Sequence, residues 1–185
     1  MNTKQNVVLI TGGSSGIGLA LAKKFSSEEN KVIIVSRSEQ KLASVKAQFP
    51  QIITEAADIT EEYSIAKLVA KYKDVNILVN NAGVHHECSF RNGIEDFSLL
   101  RNEIDTNFVA PVMLAEKFIP ELFAKKKTRL LSIFHPTLAS VPNRVFLCIL
   151  QLRLQCVPFQ NHSECSLEVH PLRCSILCLP LSKPP

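Results

Sequence analysis

The sequence predicts an α/β fold built on a doubly wound parallel sheet that is incomplete on its C-terminal side, and three observations carry that prediction. Apolar, β-branched runs alternate with amphipathic stretches through the first two thirds of the chain, the pattern of parallel strands covered by helices on both faces. The first run, Val7-Val8-Leu9-Ile10, feeds directly into the glycine-rich turn Thr11-Gly12-Gly13-Ser14-Ser15-Gly16-Ile17-Gly18. A later run, Val75-Asn76-Ile77-Leu78-Val79, ends in Asn80-Asn81-Ala82-Gly83.

Taken in order, Val7 to Thr11 is the first strand, and Ile17, Leu21 and Phe25 then recur at i, i+4 and i+8 as the apolar stripe of a helix. Strand, glycine loop and helix in this order hold a pyrophosphate, because glycines let the backbone approach and a helix N-terminus offers free N–H groups and a positive dipole end. Thr11, Gly12, Ser14, Ser15, Gly16, Ile17 and Gly18 are the candidate binding residues; the bland alternative is a tight turn without a ligand. Lys31 to Ser36 holds the second strand, with Ser36-Arg37-Ser38 at its C-terminal edge. An acidic residue at that edge accepts hydrogen bonds from an adenosine ribose, whereas an arginine suits a 2′-phosphate. Ser36 stands where the acid would be and Arg37 follows it, so NADP is favoured over NAD; the alternative is a solvated surface arginine.

Gln40 to Phe49 reads as the second helix, closed by Pro50, and Ile52-Ile53-Thr54 as a short third strand. Ala57-Asp58-Ile59-Thr60 follows, and a helix beginning with Thr60, Glu61 and Glu62 runs to about Lys73, for which Asp58 is a candidate cap. Val75 to Val79 is the fourth strand. The chain is polar from Val84 to Glu103, with Gly93 as the expected turn. Glu103 then opens a long helix carrying Met113, Leu114, Phe118, Ile119, Leu122 and Phe123, in which Pro111 and Pro120 should introduce kinks or mark turn boundaries.

The spacing T-G-x-x-x-G-I-G at Thr11–Gly18, joined by N-N-A-G at Asn80–Gly83 directly after a buried strand, resembles the short-chain dehydrogenase/reductase family. The resemblance implies a Rossmann-like fold, a nicotinamide cofactor and hydride transfer between that cofactor and a small carbonyl or alcohol substrate. It further implies that Asp58, with Ile59 beside it, holds the adenine edge and that Asn81, Ala82 and Gly83 lie beside the cofactor. Asn107 would hold a water of the proton relay and is the one catalytic residue so implied. The family usually pairs as homo-oligomers through helices partly lost here.

Composition narrows the rest. The chain's 185 residues suffice for one domain with a real core, though members of the family usually run longer, and the +4 net charge is spread over mixed-sign segments without a basic stripe. Nucleic acid is therefore not an expected partner. Met1 to Asn6 leads straight into the first strand without signal-peptide architecture, and the apolar run Val145–Leu152 is too short to span a bilayer, so a cytoplasmic protein without a membrane partner is expected.

After Lys127 the chain changes character, which divides it into a dinucleotide-binding domain at 1–127 and an atypical, poorly folding tail at 128–185. From Thr128 onward there is no glycine, aspartate or tyrosine, while five of the six cysteines and seven of the ten prolines occur there. Cys148, Cys156, Cys165, Cys174 and Cys178, even with His162 and His170, lack the short C-x-x-C pairs of zinc loops, so no metal is expected. A disulfide framework does not suit a cytosolic chain.

The family's chemistry needs a tyrosine, a lysine four residues later on the same helix face, and a serine on the preceding strand. None can be placed: Tyr63 and Tyr72 are the chain's two tyrosines, and Tyr63-Ser64-Ile65-Ala66-Lys67 matches Y-x-x-x-K only by coincidence, ahead of the N-N-A-G strand. Degenerate codons explain the loss. Reading the last base of each codon with the first two of the next, Leu147 to Cys156 permits Val-Tyr-Ser-Ala-Thr-Lys-Ala-Ala-Val, and Leu131 to Pro136 permits Val-Asn-Ile-Ser-Ser. Lys125-Lys126-Lys127 can be encoded by an adenine run, a place to lose one base. The sequence from about Thr128 thus reads as an out-of-frame translation of a dehydrogenase gene. Three functional outcomes stay open: an NADP-dependent oxidoreductase by descent, a catalytically inactive NADP-binding module, and a non-functional truncated product.

Overall fold

The first two strands show why the sheet forms. In Val7–Thr11 (β1) and Lys31–Ser36 (β2), alternate residues point to opposite faces; Leu9, Ile33 and Val35 enter one buried cluster, while Val8, Ile10, Val32 and Ile34 enter another. A strand buried on both sides needs a parallel partner on each flank and helices above and below, and the chain supplies both.

The computed structural model describes residues 5–86, 96–124 and 129–132. After β1 come Gly16–Ser27 (α1), β2, Glu39–Gln48 (α2), Ile53–Ala56 (β3), Glu62–Lys71 (α3) and Ile77–Asn80 (β4). Phe97–Ile104 (α4), a π-helical turn at Asp105–Val109, Ala110–Ala124 (α5) and Arg129–Ser132 (β5) complete the order. The five strands pair in parallel in the order β3-β2-β1-β4-β5. The chain leaves β1 toward β2 and β3 on one side and returns to β4 and β5 on the other, so the order reverses between β1 and β4, and open parallel sheets bind ligands at the carboxyl ends of the strands beside such a point. α1 and α2 cover the face of Val8 and Ile10, with Ala22, Leu42 and Val45 buried there; α3 and α5 cover the other through Ile65, Leu68, Leu114 and Phe118.

Several expectations are corrected in detail. The face of α1 that meets the sheet runs through Gly18 and Ala22, with Leu21 and Phe25 partly buried beside them, while Ile17 at the head of the stripe is 47% exposed. β3 is displaced toward the C-terminus of the predicted Ile52–Thr54, because its ladder with β2 continues to Ser36 opposite Ala56. Asp58 does not cap α3, whose N-cap is Glu61; its Oδ1 instead accepts the Thr60 N–H (2.9 Å) and hydroxyl (2.7 Å), an Asx turn. The long helix starts at Phe97, where the Asp96 carboxylate accepts the Ser98 N–H at 2.8 Å, rather than at Glu103. Ahead of Pro111 the helix widens, the Ala110 N–H reaching Asp105 O, and it then continues through Pro120. Proline has no N–H to give the preceding turn, and the wide turn sits where that donor is lost. β5 lies beyond Lys127. Gly93 and the cysteines and histidines of the tail lie outside the described residues.

The sheet edge carries a titratable cluster. Tyr72 and Lys71, at the end of α3, both donate to Glu55 Oε2 on β3, at 2.7 and 2.6 Å. Burial pushes the Glu55 carboxyl up, but the hydrogen bonds from Lys71 and Tyr72 outweigh it and its pKa lies below the ordinary glutamate value. Burial, then Glu55, raises that of Tyr72. Because the folded Glu55 value is depressed, its contribution to stability is present above the unfolded value and lost as pH falls through the folded one. Tyr72 contributes below the ordinary phenol value and loses it as pH rises through its raised value. Denaturant midpoints should accordingly fall on acidification through the carboxylate range, and Glu55→Gln should flatten that acid limb. An unchanged limb in the variant would assign the loss to other carboxylates.

Candidate functional site

The carboxyl ends of β1 and β4 are tied together by one threonine and one asparagine. Thr11 is buried, and its hydroxyl oxygen accepts the backbone N–H groups of Asn81 and Ala82, each at 3.0 Å. The Asn81 amide returns to the Thr11 and Gly12 carbonyls at 3.0 and 3.3 Å. Gly12 has φ +65, and a Cβ there would stand 2.8 Å from Ala82 Cα, so this crossing of backbones needs glycine both for its conformation and for its space. Its N–H donates to Val35 O at 2.8 Å, which locks the turn onto β2.

Above this knot lies a cleft of about 370 Å³. Its floor is Gly12 and Ser14 to Ile17, one wall is Ser36 and Arg37 with Asp58 and Ile59, and the far wall is Asn81, Ala82 and Gly83. Residues from four separate stretches of sequence thus meet in one place. Thr11 and Gly18 lie beneath it, Thr11 in the hydrogen-bond knot and Gly18 packed on Gly12. Ser15 is the N-cap of α1 in an extended conformation, yet its side chain makes no capping bond. Anionic oxygens suit such a helix start, where backbone N–H groups are not claimed by a side chain.

At the β2 edge the Ser14 hydroxyl donates to Ser36 Oγ (2.9 Å), and so does the Ser38 N–H (3.3 Å). Arg37 reaches across to Asp58, Nη1 to Oδ2 3.9 Å, with about half of its side chain exposed. Asn107 does not line the cleft. It lies in the π-helical turn and clamps Val84 through a reciprocal pair: the Val84 N–H donates to Asn107 Oδ1 and the Asn107 amide to Val84 O, both at 2.8 Å. Glu103 fixes the same segment by accepting the His86 N–H at 3.0 Å.

The sequence reading missed Val35, Ser38, Lys41, Ala57, Val84 and Thr106 as site residues, and these also line the cleft. Lys41 had a signal, three residues beyond the cap Ser38 in the first turn of a helix; Thr106 had only its place beside Asn107. Tyr63 is 69% exposed on α3, outside the cleft, and the Lys67 ammonium lies 4.3 Å from its ring centroid. Among the described residues no group of three His, Cys, Asp or Glu side chains could hold a metal ion, and no helix is long and apolar enough to cross a membrane.

The sequence profile of the family described as short chain dehydrogenase matches residues 6–135, which spans the whole described sheet and the cleft. The chain belongs to the short-chain dehydrogenase family. It is 40% identical over 137 residues to the uncharacterized oxidoreductase DltE of Bacillus subtilis, covering 72% of this chain and 54% of that one. It is 27% identical over 134 residues to the NADP-dependent 3-hydroxy acid dehydrogenase YdfG of Salmonella typhi, covering 69% and 53%. A solved short-chain dehydrogenase/reductase family protein superimposes with a TM-score of 0.65 at 29% identity, covering 71% of this chain and 56% of the other. This short-chain dehydrogenase chain spans about half the length of the curated relatives it matches. Family membership makes its fold that of a Rossmann-like oxidoreductase and implies a nicotinamide dinucleotide as the cofactor class, which the glycine-built floor and uncapped helix start of the cleft fit.

Proposed function

We propose that this chain is the cofactor-holding part of an NADP-dependent short-chain oxidoreductase and that, as written, it binds NADP without turning substrate over. The observation that carries the NADP assignment is the β2 edge, where a serine hydroxyl and Arg37 face the cleft in place of a carboxylate. The backbone of Gly12 to Ile17 at the head of α1 would take the pyrophosphate, Asp58 and Ile59 the adenine, and Asn81 to Gly83 the region beside the nicotinamide. Asn107, by its grip on Val84, fixes the loop that closes this side. When bound, NADPH supplies a hydride to a carbonyl, and NADP⁺ accepts one from an alcohol.

The tyrosine, lysine and serine that would move the proton have no counterpart in the chain, and the region from about Thr128 is, on this reading, an out-of-frame translation. Loss of general acid–base catalysis alone is worth about 10²–10⁴-fold, so turnover should fall to the background. Titration of NADPH with the full chain tests the proposal. Enhanced nicotinamide fluorescence without carbonyl-dependent loss of absorbance is the expected result. Tighter binding of NADH than NADPH overturns the NADP assignment, and brisk ketone reduction overturns the loss of catalysis.

A further inference from the structure

We propose that Lys41 is a specificity-determining residue of the cleft, the second cation that, with Arg37, holds the 2′-phosphate of NADP; this rests on the NADP reading above. Lys41 lies in the first turn of α2, and its backbone N–H donates to the Ser38 hydroxyl at 3.3 Å, which ties it to the loop carrying Arg37. The residue is exposed and lines the same cleft as Ser36, Arg37 and Ser38. Helical side chains lean toward the N-terminus, which directs this one back toward the β2 edge.

Charge accounting calls for such a residue. Arg37 shares the rim with Asp58, 3.9 Å away, so part of its charge is already answered by a carboxylate. A phosphate brought beside that pair meets one cation and one anion, and a second cation strengthens the attraction. Among the described residues no ion pair engages the Lys41 ammonium, and Glu39 in the same turn does not line the cleft. The hydroxyls agree with this. Ser36 Oγ already accepts from Ser14 and from the Ser38 N–H, so what it has left to offer is its own O–H, which suits the acceptor-only oxygens of a phosphate better than a ribose hydroxyl seeking an acceptor.

The test is fluorescence titration of the full chain with NADPH and with NADH, for the wild type, Arg37→Met, Lys41→Met and Lys41→Arg. Thermal shifts with adenosine 2′,5′-bisphosphate and with adenosine 5′-monophosphate add a readout free of the nicotinamide. Lys41→Met should weaken NADPH about tenfold and the bisphosphate likewise, leave NADH and the monophosphate within about twofold, and flatten the salt dependence of NADPH binding. Lys41→Arg should keep the preference, since the cation is retained. If the wild type prefers NADPH and Arg37→Met abolishes that preference while Lys41→Met does not reduce it, the role of Lys41 is overturned and the NADP reading stands. A wild type that binds neither dinucleotide, or prefers NADH, overturns both. Equal weakening of NADPH and NADH by Lys41→Met shows a structural role and also overturns the proposal.

Discussion

Gly18→Val should abolish NADPH binding and cost about 3 kcal/mol or more of folding stability, within the range of severe overpacking. A Cβ on Gly18 would stand 2.4 Å from the Asn81 amide nitrogen and 2.5 Å from the Gly12 carbonyl oxygen. Neither neighbour can step aside cheaply. Gly12 O is backbone in a turn locked onto Val35, and the Asn81 amide is held by the Thr11 and Gly12 carbonyls. The substitution therefore pries α1 from the turn and β4 from β1 together. Gly16 is the internal control. It has φ +53 with nothing within 4 Å of a built Cβ, so Gly16→Ala should cost only the left-handed backbone strain, about 1 kcal/mol. Urea midpoints of the two variants, with NADPH titration of each, decide the matter. A Gly18→Val loss no greater than that of Gly16→Ala would mean that close packing at the turn is not what holds the strand ends together.

That turn was legible because its requirements are local. A buried strand, glycines at fixed spacing and a helix are consecutive in the chain, and the central strands, buried on both faces, write themselves as unbroken apolar runs. Legibility decreased with burial. β3 is an edge strand whose residues are only half buried, and its limits are set by the register with β2 rather than by its own pattern. β4 begins two residues late: at Asn76 the backbone N–H donates to Val7 O at 3.0 Å, but the return bond from the Val7 N–H goes to the Asn76 side-chain Oδ1 at 2.9 Å instead of to a strand carbonyl. α4 contains no buried residue and Phe97 is 67% exposed; its apolar stripe of Phe97, Leu100 and Ile104 covers only two turns after a polar stretch, and its other local signal is the Asp96 cap.

The candidate site divides in the same way. Residues in the glycine turn, the β2 edge and N-N-A-G were found from motifs, each contained in a few consecutive positions. Lys41 and Thr106 reach the cleft only because α2 and the π-helical turn are packed around a sheet whose order no local pattern encodes. Ile17 shows the converse. Its spacing with Leu21 and Phe25 places it on a core stripe, yet at the first turn of α1 there is no sheet left to cover it, and it borders the cleft instead.

Inserting one base within the codons of Lys125 to Lys127 should convert the chain from a binder into a reductase, raising carbonyl-dependent NADPH oxidation by about 10²-fold to 10⁴-fold, the span that general acid–base catalysis supplies. On the reading proposed above, the shifted frame carries what the degenerate codons permit, Val-Asn-Ile-Ser-Ser across Leu131 to Pro136 and Val-Tyr-Ser-Ala-Thr-Lys-Ala-Ala-Val across Leu147 to Cys156. β5 pairs with β4 so that Ser132 stands opposite Asn80. In the restored chain the valine would take that position, and the two serines would follow after Asn and Ile, three and four residues beyond it. The tyrosine and lysine, four residues apart, share a helix face, and the ammonium lowers the phenol's pKa toward the operating range. The cofactor half needs no change, because its turn, its Asn81 knot and its β2 edge are all encoded before the shift. NADPH affinity should therefore stay within about twofold while turnover rises, a split that better folding alone would not give. Sequencing the transcript across the three lysine codons tells which frame the cell uses, and a restored chain that binds NADPH but reduces no carbonyl would show that the alternative frame does not encode the missing machinery.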